Sequence, residues 1–215
     1  MSSGANEGGK RAARARMTSA ARREQLIEIA RKLFAQRGFD GTSIEEIAAR
    51  AEVSKPVVYE HFGGKEGIYA VVVDREVRQL LEMMHASLTA GHPRELLEQA
   101  ACALLDYIEQ SSDGFRILVR DAPLGTASGS FVSIISDVAS RVEHILAAEF
   151  RQRGFDPKTS PMYAQMLVGM VGTTGQWWLD ARKPDKREVA AHLCNLAWNG
   201  LSGLDSKPQL ITRPR

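Results

Sequence analysis

The sequence has few cysteines, no long apolar run and a formal net charge of only +2 over 215 residues. Cys102 and Cys194 lie far apart and form no CxxC pair, which favours a reducing compartment with buried thiols. The apolar stretch 166–179 is interrupted by Gly, Thr and Gln and is too short to span a bilayer. The basic residues near the N-terminus lead into no apolar run, so no signal peptide is expected. We therefore predict a cytoplasmic protein.

Motifs for catalysis and metal binding are also missing. The histidines show no HxxxH or HExxH spacing, so we predict no metal site. There is no GxSxG motif, no GxxxxGK[ST] phosphate loop and no evident triad. The sequence therefore predicts neither an enzyme nor a cofactor.

Charge is distributed unevenly along the chain. Residues 1–65 carry 12 Lys/Arg against 8 Asp/Glu, whereas residues 66–215 carry 16 against 18, so only the first segment is a candidate for binding a polyanion. Residues 1–17 are small, polar and basic and predict a disordered arm. Two roles stay open for the basic side chains of residues 10–23: contact with the DNA backbone or minor groove, or a solubilising tail. These side chains are Lys10, Arg11, Arg14, Arg16, Arg22 and Arg23.

The spacing of apolar residues predicts an all-α fold. A first helix runs from Thr18 to Arg37 and stops at Gly38. Thr42 opens a second helix, and Glu45 three residues later completes a T-x-x-E capping box. Ser54 caps a third, very short helix that ends at Gly63-Gly64. Further helices are predicted over 65–89, 93–111, 113–120, 129–153, 160–181 and 185–203, without strand-like alternation.

The second and third predicted helices, joined by a tight turn, form a helix-turn-helix, whose second helix lies in the DNA major groove. Lys55 can reach a base edge or a phosphate, Val57 a thymine methyl, and Tyr59 and His61 phosphates. Lys65 lies in a helix's first turn, where a phosphate would offset the unfavourable dipole. Taken alone, Tyr59 is also typical of a half-buried structural residue. His61 and Lys65, taken alone, are also typical of solvated surface residues. The predicted DNA contacts are Thr42, Ser43, Ser54, Lys55, Val57, Tyr59, His61 and Lys65.

The stretch from Gly38 to Tyr69, GFDGTSIEEIAARAEVSKPVVYEHFGGKEGIY, resembles the signature of TetR-family regulators. The matching elements are Gly38-Phe39, Thr42, Ile47-Ala48, Val53-Ser54, Tyr59, Phe62, Lys65 and Ile68. The resemblance implies a three-helix DNA-binding domain over 18–64, a helical ligand-binding and dimerisation domain over 65–205, and a tail over 206–215. It also implies a transcriptional regulator, which we predict to be a repressor that binds a palindromic operator as a homodimer.

Two positions depart from the family pattern. Glu52 stands where the family usually has glycine, so a positive φ there would be strained. Pro56 stands where many members have a small residue, and it removes an N–H that would otherwise be available to DNA.

The resemblance further implies that the last two long helices pair with those of a second protomer in a four-helix bundle. Apolar and small residues recur there at helical spacing, although they would also suit an internal core. On the first helix they are Met162, Met166, Gly169, Met170, Thr173 and Trp177. On the second they are Val189, Leu193, Leu196, Trp198 and Gly200.

The middle helices are predicted to enclose an apolar effector, because their apolar stripes contain no charge. The alternative is that these residues simply fill the core. The predicted effector-binding residues are Leu80, Met84, Leu88, Leu104, Leu105, Ile108, Phe115, Phe131 and Trp177.

Three segments, LLDYIEQSSDGFRIL, WWLDARKP and LAWNGLSGL, resemble actinobacterial TetR-type regulators of lipid-synthesis genes. That group senses long-chain acyl-CoA, which implies an acyl-CoA or fatty acid effector. A CoA head group would need cations, for which Arg116, Arg120 and Arg141 are the candidates.

Three alternatives stay open from the sequence. A multidrug-sensing repressor of an efflux gene would need an acid such as Asp106 or Glu109 for a cationic drug. The others are an enzyme with an appended DNA-binding segment and an architectural DNA-binding protein without an effector.

Overall fold

The described part of this computed structural model comprises residues 17–89, 91–120 and 131–210, without the side chains of 131–135 and 137. It is helical and contains no strand, as predicted. The helices are α1 (Ser19–Arg37), α2 (Ile44–Arg50), α3 (Lys55–Phe62), α4 (Lys65–Ser87), α5 (Pro93–Gln110), α6 (Ser112–Arg120), α7 (Phe131–Arg153), α8 (Ser160–Ala181) and α9 (Lys186–Ser202), with a 3₁₀ turn at Pro157–Thr159. None of the helices described is long and apolar enough to cross a membrane.

Helices α1, α2 and α3 pack around one apolar cluster with the first turns of α4. Phe34 of α1, Ile47 of α2, Val58 of α3 and Ile68 of α4 are all fully buried in it. Gly38 ends α1 with φ of +74°, a conformation that suits glycine because it lacks a Cβ.

The start of α2 differs from the prediction by one residue. Ser43 is the N-cap, and its hydroxyl accepts a hydrogen bond from the Glu46 N–H at 3.2 Å. Thr42 is buried instead, and its hydroxyl donates to the Gly38 carbonyl at 2.8 Å. The predicted Thr42–Glu45 capping box is therefore wrong, because the Thr42 hydroxyl is used to close the end of α1.

A second apolar cluster joins α4, α5, α6, α8 and α9. Close packing of α8 on α5 depends on Gly175, where an added Cβ would lie 2.9 Å from Ile108 Cδ1 and 3.2 Å from Leu104 Cδ2. Trp178 is buried in this cluster, and its indole N–H donates to the Pro184 carbonyl at 2.8 Å. Helix α7 packs mainly on α8 and the 3₁₀ turn, around a small separate cluster that contains Phe150.

Two helices contribute to both large clusters. Helix α4 places Val72 in the first cluster and Leu80 in the second. Helix α6 places Ile117 in the first, and Phe115 and Leu118 in the second. The units predicted at 18–64 and 65–205 are thus joined by α4 and α6, and their boundaries stay predictions.

The two thiols differ in burial. Cys194 is buried on α9, as predicted, but Cys102 is exposed. The prediction was wrong for Cys102 because it shares the outer face of α5 with Asp106 and Glu109, at spacings of four and three residues.

Candidate nucleic-acid interface

Helix α3 and the residues next to α2 and α3 carry the predicted DNA contacts, most of them at least partly accessible. Tyr59 is 46% exposed, and Ser43, Ser54 and Lys55 are exposed as well. Val57, His61 and Lys65 are half-buried. Thr42 is the exception: it is buried and bonded to its own backbone, which contradicts its predicted role as a DNA contact.

Lys55 opens α3 and is held between two neighbours. Its ammonium donates to Glu45 of α2 and lies 5.8 Å from the centre of the Tyr59 ring. The hydrogen bond and charge of Glu45 raise the pKa of Lys55, and the same hydrogen bond lowers the pKa of Glu45. Because exposed ion pairs contribute little in water, a phosphate or base edge can replace Glu45. Glu45 was predicted to belong to a helix cap, and its pairing with Lys55 was not predicted.

Lys65, in the first turn of α4, lies against the end of α1. Its ammonium lies 4.3 Å from the centre of the Phe39 ring and 3.5 Å from the Asp40 carbonyl oxygen. Cation–π contact of this kind holds the charge near the surface beside α3.

Two of the six basic side chains of residues 10–23 belong to α1 and contact the fold itself. Arg22 donates to Gln25 at 2.6 Å and to the Ala51 carbonyl at 3.4 Å. The Arg23 guanidinium lies 5.0 Å above the Phe62 ring. The other four, in residues 10–16, lie outside the described residues.

Helices α8 and α9 leave an apolar surface exposed. Met166, Trp177 and Leu196 are 56%, 54% and 65% exposed, and Met162 is exposed too. A Cβ added at Gly169 or Gly200 would meet nothing within 4 Å. We call this surface, formed by Met162, Met166, Gly169, Trp177, Leu196 and Gly200, the outer face of α8 and α9.

Three residues predicted for the dimer interface belong to the protomer's own core. Val189 and Leu193 are buried in the second cluster, and Met170 packs against it. The residues predicted for the interface came from both the inner and the outer face of α8 and α9, because large apolar residues occur on both faces.

Five predicted effector residues meet in the second cluster: Leu80, Leu104, Leu105, Ile108 and Phe115. Met84 is half-buried against them. Leu88 follows the end of α4 and is exposed, and Trp177 points outward, so the prediction was wrong for both. The buried tryptophan is Trp178, which shares a helical face with Val171 and Gly175. The side chain of Phe131 lies outside the description.

Two clefts are lined by charged residues and include none of the apolar residues predicted to bind the effector. One, of about 350 Å³, lies between α1, α4 and the end of α5, and the other, of about 300 Å³, between α1, α6 and α8. The second includes Arg116, whose guanidinium donates to Asp180 at 2.5 Å, and Arg120, which donates to the Gln36 carbonyl at 3.3 Å.

The other charged candidates lie elsewhere. Arg141 of α7 contacts the ring of His85 of α4 at 3.2 Å. Asp106 and Glu109 are both bridged by Lys186, at 2.6 and 2.5 Å.

Known proteins resemble both halves of the chain. Residues 26–72 match the family described as bacterial regulatory proteins, tetR family. Residues 93–200 match the family described as tetracyclin repressor-like, C-terminal domain.

Individual relatives agree with the two matches. The HTH-type transcriptional activator FasR of Mycolicibacterium smegmatis is 31% identical over 84% of this chain and 83% of its own length. An HTH-type transcriptional repressor of Mycobacterium tuberculosis is 29% identical over 61% of this chain and 72% of its own. A TetR-like regulator from Rhodococcus sp. RHA1 superposes with a TM-score of 0.71, at 28% identity, over 88% of this chain and 100% of that one.

The helix-turn-helix geometry of α2 and α3 and both family matches lead to one assignment: the chain belongs to the TetR family of bacterial transcriptional regulators and is not an enzyme.

Proposed function

We propose that the protein is a cytoplasmic repressor that binds a palindromic operator as a homodimer and releases it when an elongated apolar effector binds. The observation that carries the proposal is the α3 surface, where Lys55 and Tyr59 are exposed, with Lys65 in the first turn of the next helix. A helix placed in the major groove can read base edges with Lys55 and bind phosphates with Tyr59 and Lys65.

The outer face of α8 and α9 supports the homodimer. Large apolar side chains that project into solvent from two adjacent helices are typical of an interface core. Gly169 and Gly200, which have open space around them, would let the helices of a second protomer approach closely.

The second cluster supports an apolar effector. Around its buried residues lie partly buried side chains from five helices, among them Met83 and Met84 on α4, Leu97 on α5, Val138 on α7 and Met170 on α8. Methionine side chains adapt their shape readily, so they can rearrange around a ligand. Each methylene of an acyl chain buried there would contribute about 0.8 kcal/mol.

Two observations support one chemical class of effector. Asp106 and Glu109 are already paired with Lys186 on the outer side of α5, which disfavours a cationic drug. The mycobacterial origin of the FasR relative agrees with the actinobacterial resemblance of the C-terminal segments. We therefore propose a long-chain acyl-CoA or fatty acid.

Operator binding tests the role of α3. Lys65→Ala is expected to weaken binding to all sequences and to lower the salt slope by about one per bound protomer, because each protomer loses one phosphate contact. Val57→Ala is expected instead to change preference at one base pair, by about 1–3 kcal/mol. Lys158→Ala, an equivalent charge removal in the 3₁₀ turn, is the control. Unchanged affinity and salt slope for Lys65→Ala would contradict this docking.

A chain-length series of acyl-CoAs tests the effector. Long chains are expected to lower operator affinity, and Met84→Phe is expected to reduce that response by filling space beside the second cluster. Leu88→Phe makes a similar increase in size at an exposed site and should respond like the unaltered protein. If no chain length shifts operator affinity, the lipid proposal is wrong.

A further inference from the structure

Helix α4 buries a carboxylate where α1, α5 and α6 meet. The Glu76 side chain is only 5% exposed, although glutamate is rarely buried without partners. Along α4, Glu76 lies between Val72 of the first cluster and Leu80 of the second. The contacts of Glu76 are therefore the polar part of the junction between the two clusters.

Three side chains from two other helices satisfy the carboxylate. Arg31 of α1 donates its Nε–H to Glu76 Oε1 at 2.5 Å, and its Nη2 donates to Ser111 Oγ at 2.6 Å. At the end of α5, the Tyr107 hydroxyl and the Ser111 hydroxyl donate to Glu76 Oε2 at 2.7 and 2.9 Å. We call Arg31, Glu76, Tyr107 and Ser111 the junction network.

The charge states suit this arrangement. Burial lowers the pKa of Arg31, but the hydrogen bond and charge of Glu76 outweigh it, so the pKa of Arg31 is raised. Burial and the Glu76 carboxylate also raise the pKa of Tyr107, which keeps the phenol protonated as a donor.

Helix α6 closes the network from the remaining side. A Cβ at Gly114 would lie 1.7 Å from Glu76 Oε2 and 2.6 Å from Ser111 Oγ, so only glycine leaves room for the carboxylate. The carboxylate therefore rests against the first turn of α6, where the helix dipole favours a negative charge.

Apolar and polar contacts play different parts at this junction. Ile117 of α6, buried among the side chains of the first cluster, holds the two units together. The hydrophobic driving force is non-directional, whereas hydrogen bonds depend on distance and angle. The junction network therefore adds directional contacts to the apolar packing that positions α1 relative to α5.

We propose that the junction network sets the orientation of the DNA-binding helices on the effector-binding unit, with Tyr107 and Ser111 as positioning residues for operator recognition. The proposal rests on the proposed function, because only a dimer must match the separation of two half-sites. Tyr107 lies between Leu104 and Ile108 in sequence, so a shift of α5 around an effector would move its hydroxyl and pull on Arg31 through Glu76.

The test measures operator affinity against half-site separation. The operator is first selected from random DNA by the unaltered protein and then altered by one or two base pairs between the half-sites, with a single half-site as a further probe. Tyr107→Phe and Ser111→Ala are expected to lower discrimination between correct and altered spacing by about threefold to tenfold, as for one lost hydrogen bond. Single half-site affinity should not change, because the α3 surface is intact.

The matched control is Glu24→Gln. Glu24 pairs with Arg75 at 2.5 Å and also joins α1 to α4, but at the exposed surface. This variant should discriminate spacing like the unaltered protein. Spacing discrimination that survives both Tyr107→Phe and Ser111→Ala would overturn the positioning role while leaving the dimer proposal intact. An unaltered protein that shows no spacing preference would overturn the dimer proposal and this inference with it.

Discussion

Glu52 occupies the turn between α2 and α3 with φ of +54°, in the left-handed region that a Cβ disfavours. The sequence predicted this strain, because glycine is usual there in the family. The fold keeps the turn nevertheless, since Ala51, fully buried beside it, anchors the chain to the first cluster.

Replacing Glu52 should therefore separate the effect of backbone strain on the free energy of unfolding from the effect of the side chain. Glu52→Gly is expected to exceed Glu52→Ala in free energy of unfolding by about 1 kcal/mol, because only glycine removes the Cβ. Urea unfolding followed by circular dichroism measures this difference. Equal stability of the two variants would show that the turn carries no such strain.

The two cysteines should differ in reactivity. Burial raises the pKa of Cys194 to about 11, and burial followed by the charges of Asp106 and Glu98 raises the pKa of Cys102. Alkylation needs the thiolate, so at pH 7.4 iodoacetamide should label exposed Cys102 more slowly than free cysteine, and Cys194 more slowly still.

Mass spectrometry of the labelled protein distinguishes the two sites, and unfolding in urea serves as the control that equalises them. Equal native rates at the two sites would contradict the burial described for Cys194.

At the scale of elements, helix bounds were predictable because glycine, proline and capping residues stand at nearly every break. The predicted helix 160–181 coincides with α8 (Ser160–Ala181). The capping residue of α2 was not predictable, since Thr42 and Ser43 are adjacent and both can cap. The choice depends on the Gly38 carbonyl, which only the folded chain brings within reach of Thr42.

The faces of a helix were harder to assign than its ends. Trp177 and Trp178 are neighbours, yet one is exposed and the other buried. The register with Val171 and Gly175 identifies Trp178 as the inward residue, a signal available in the sequence. The junction network had no such signal, because Arg31, Glu76 and Ser111 come from distant parts of the chain.

The outer face of α8 and α9 gives a prediction for one element. Leu196→Glu is expected to shift the protein from dimer to monomer, because a carboxylate in an apolar interface is left without a partner. Leu196 is exposed in the protomer, so the helical content should stay unchanged.

The control for Leu196→Glu is Leu210→Glu, the same change at an exposed leucine in the tail. Sedimentation velocity at micromolar concentration measures both. A Leu196→Glu variant that sediments at the same rate as the unaltered protein would contradict a dimer interface on this face.

At the scale of the whole molecule, two helical units share α4 and α6, and a change around α5 can therefore reach α1. Family membership could be predicted from the residues between Gly38 and Tyr69, because they combine the caps, the buried stripe and the exposed face of one motif. The extent of an effector cavity could not be predicted from the sequence. Leu104, Leu105 and Ile108 are buried among their neighbours, and composition does not show how they move.

The most direct test of the account is the stoichiometry of the protein on its selected operator, measured by sedimentation equilibrium or native mass spectrometry. We expect two protomers on each palindrome, the loss of that two-protomer complex in Leu196→Glu, and a weaker complex of the same stoichiometry in Lys65→Ala. The account would be contradicted if only one protomer of the unaltered protein bound each palindrome, or if a monomeric Leu196→Glu variant bound the full operator as tightly as the unaltered protein.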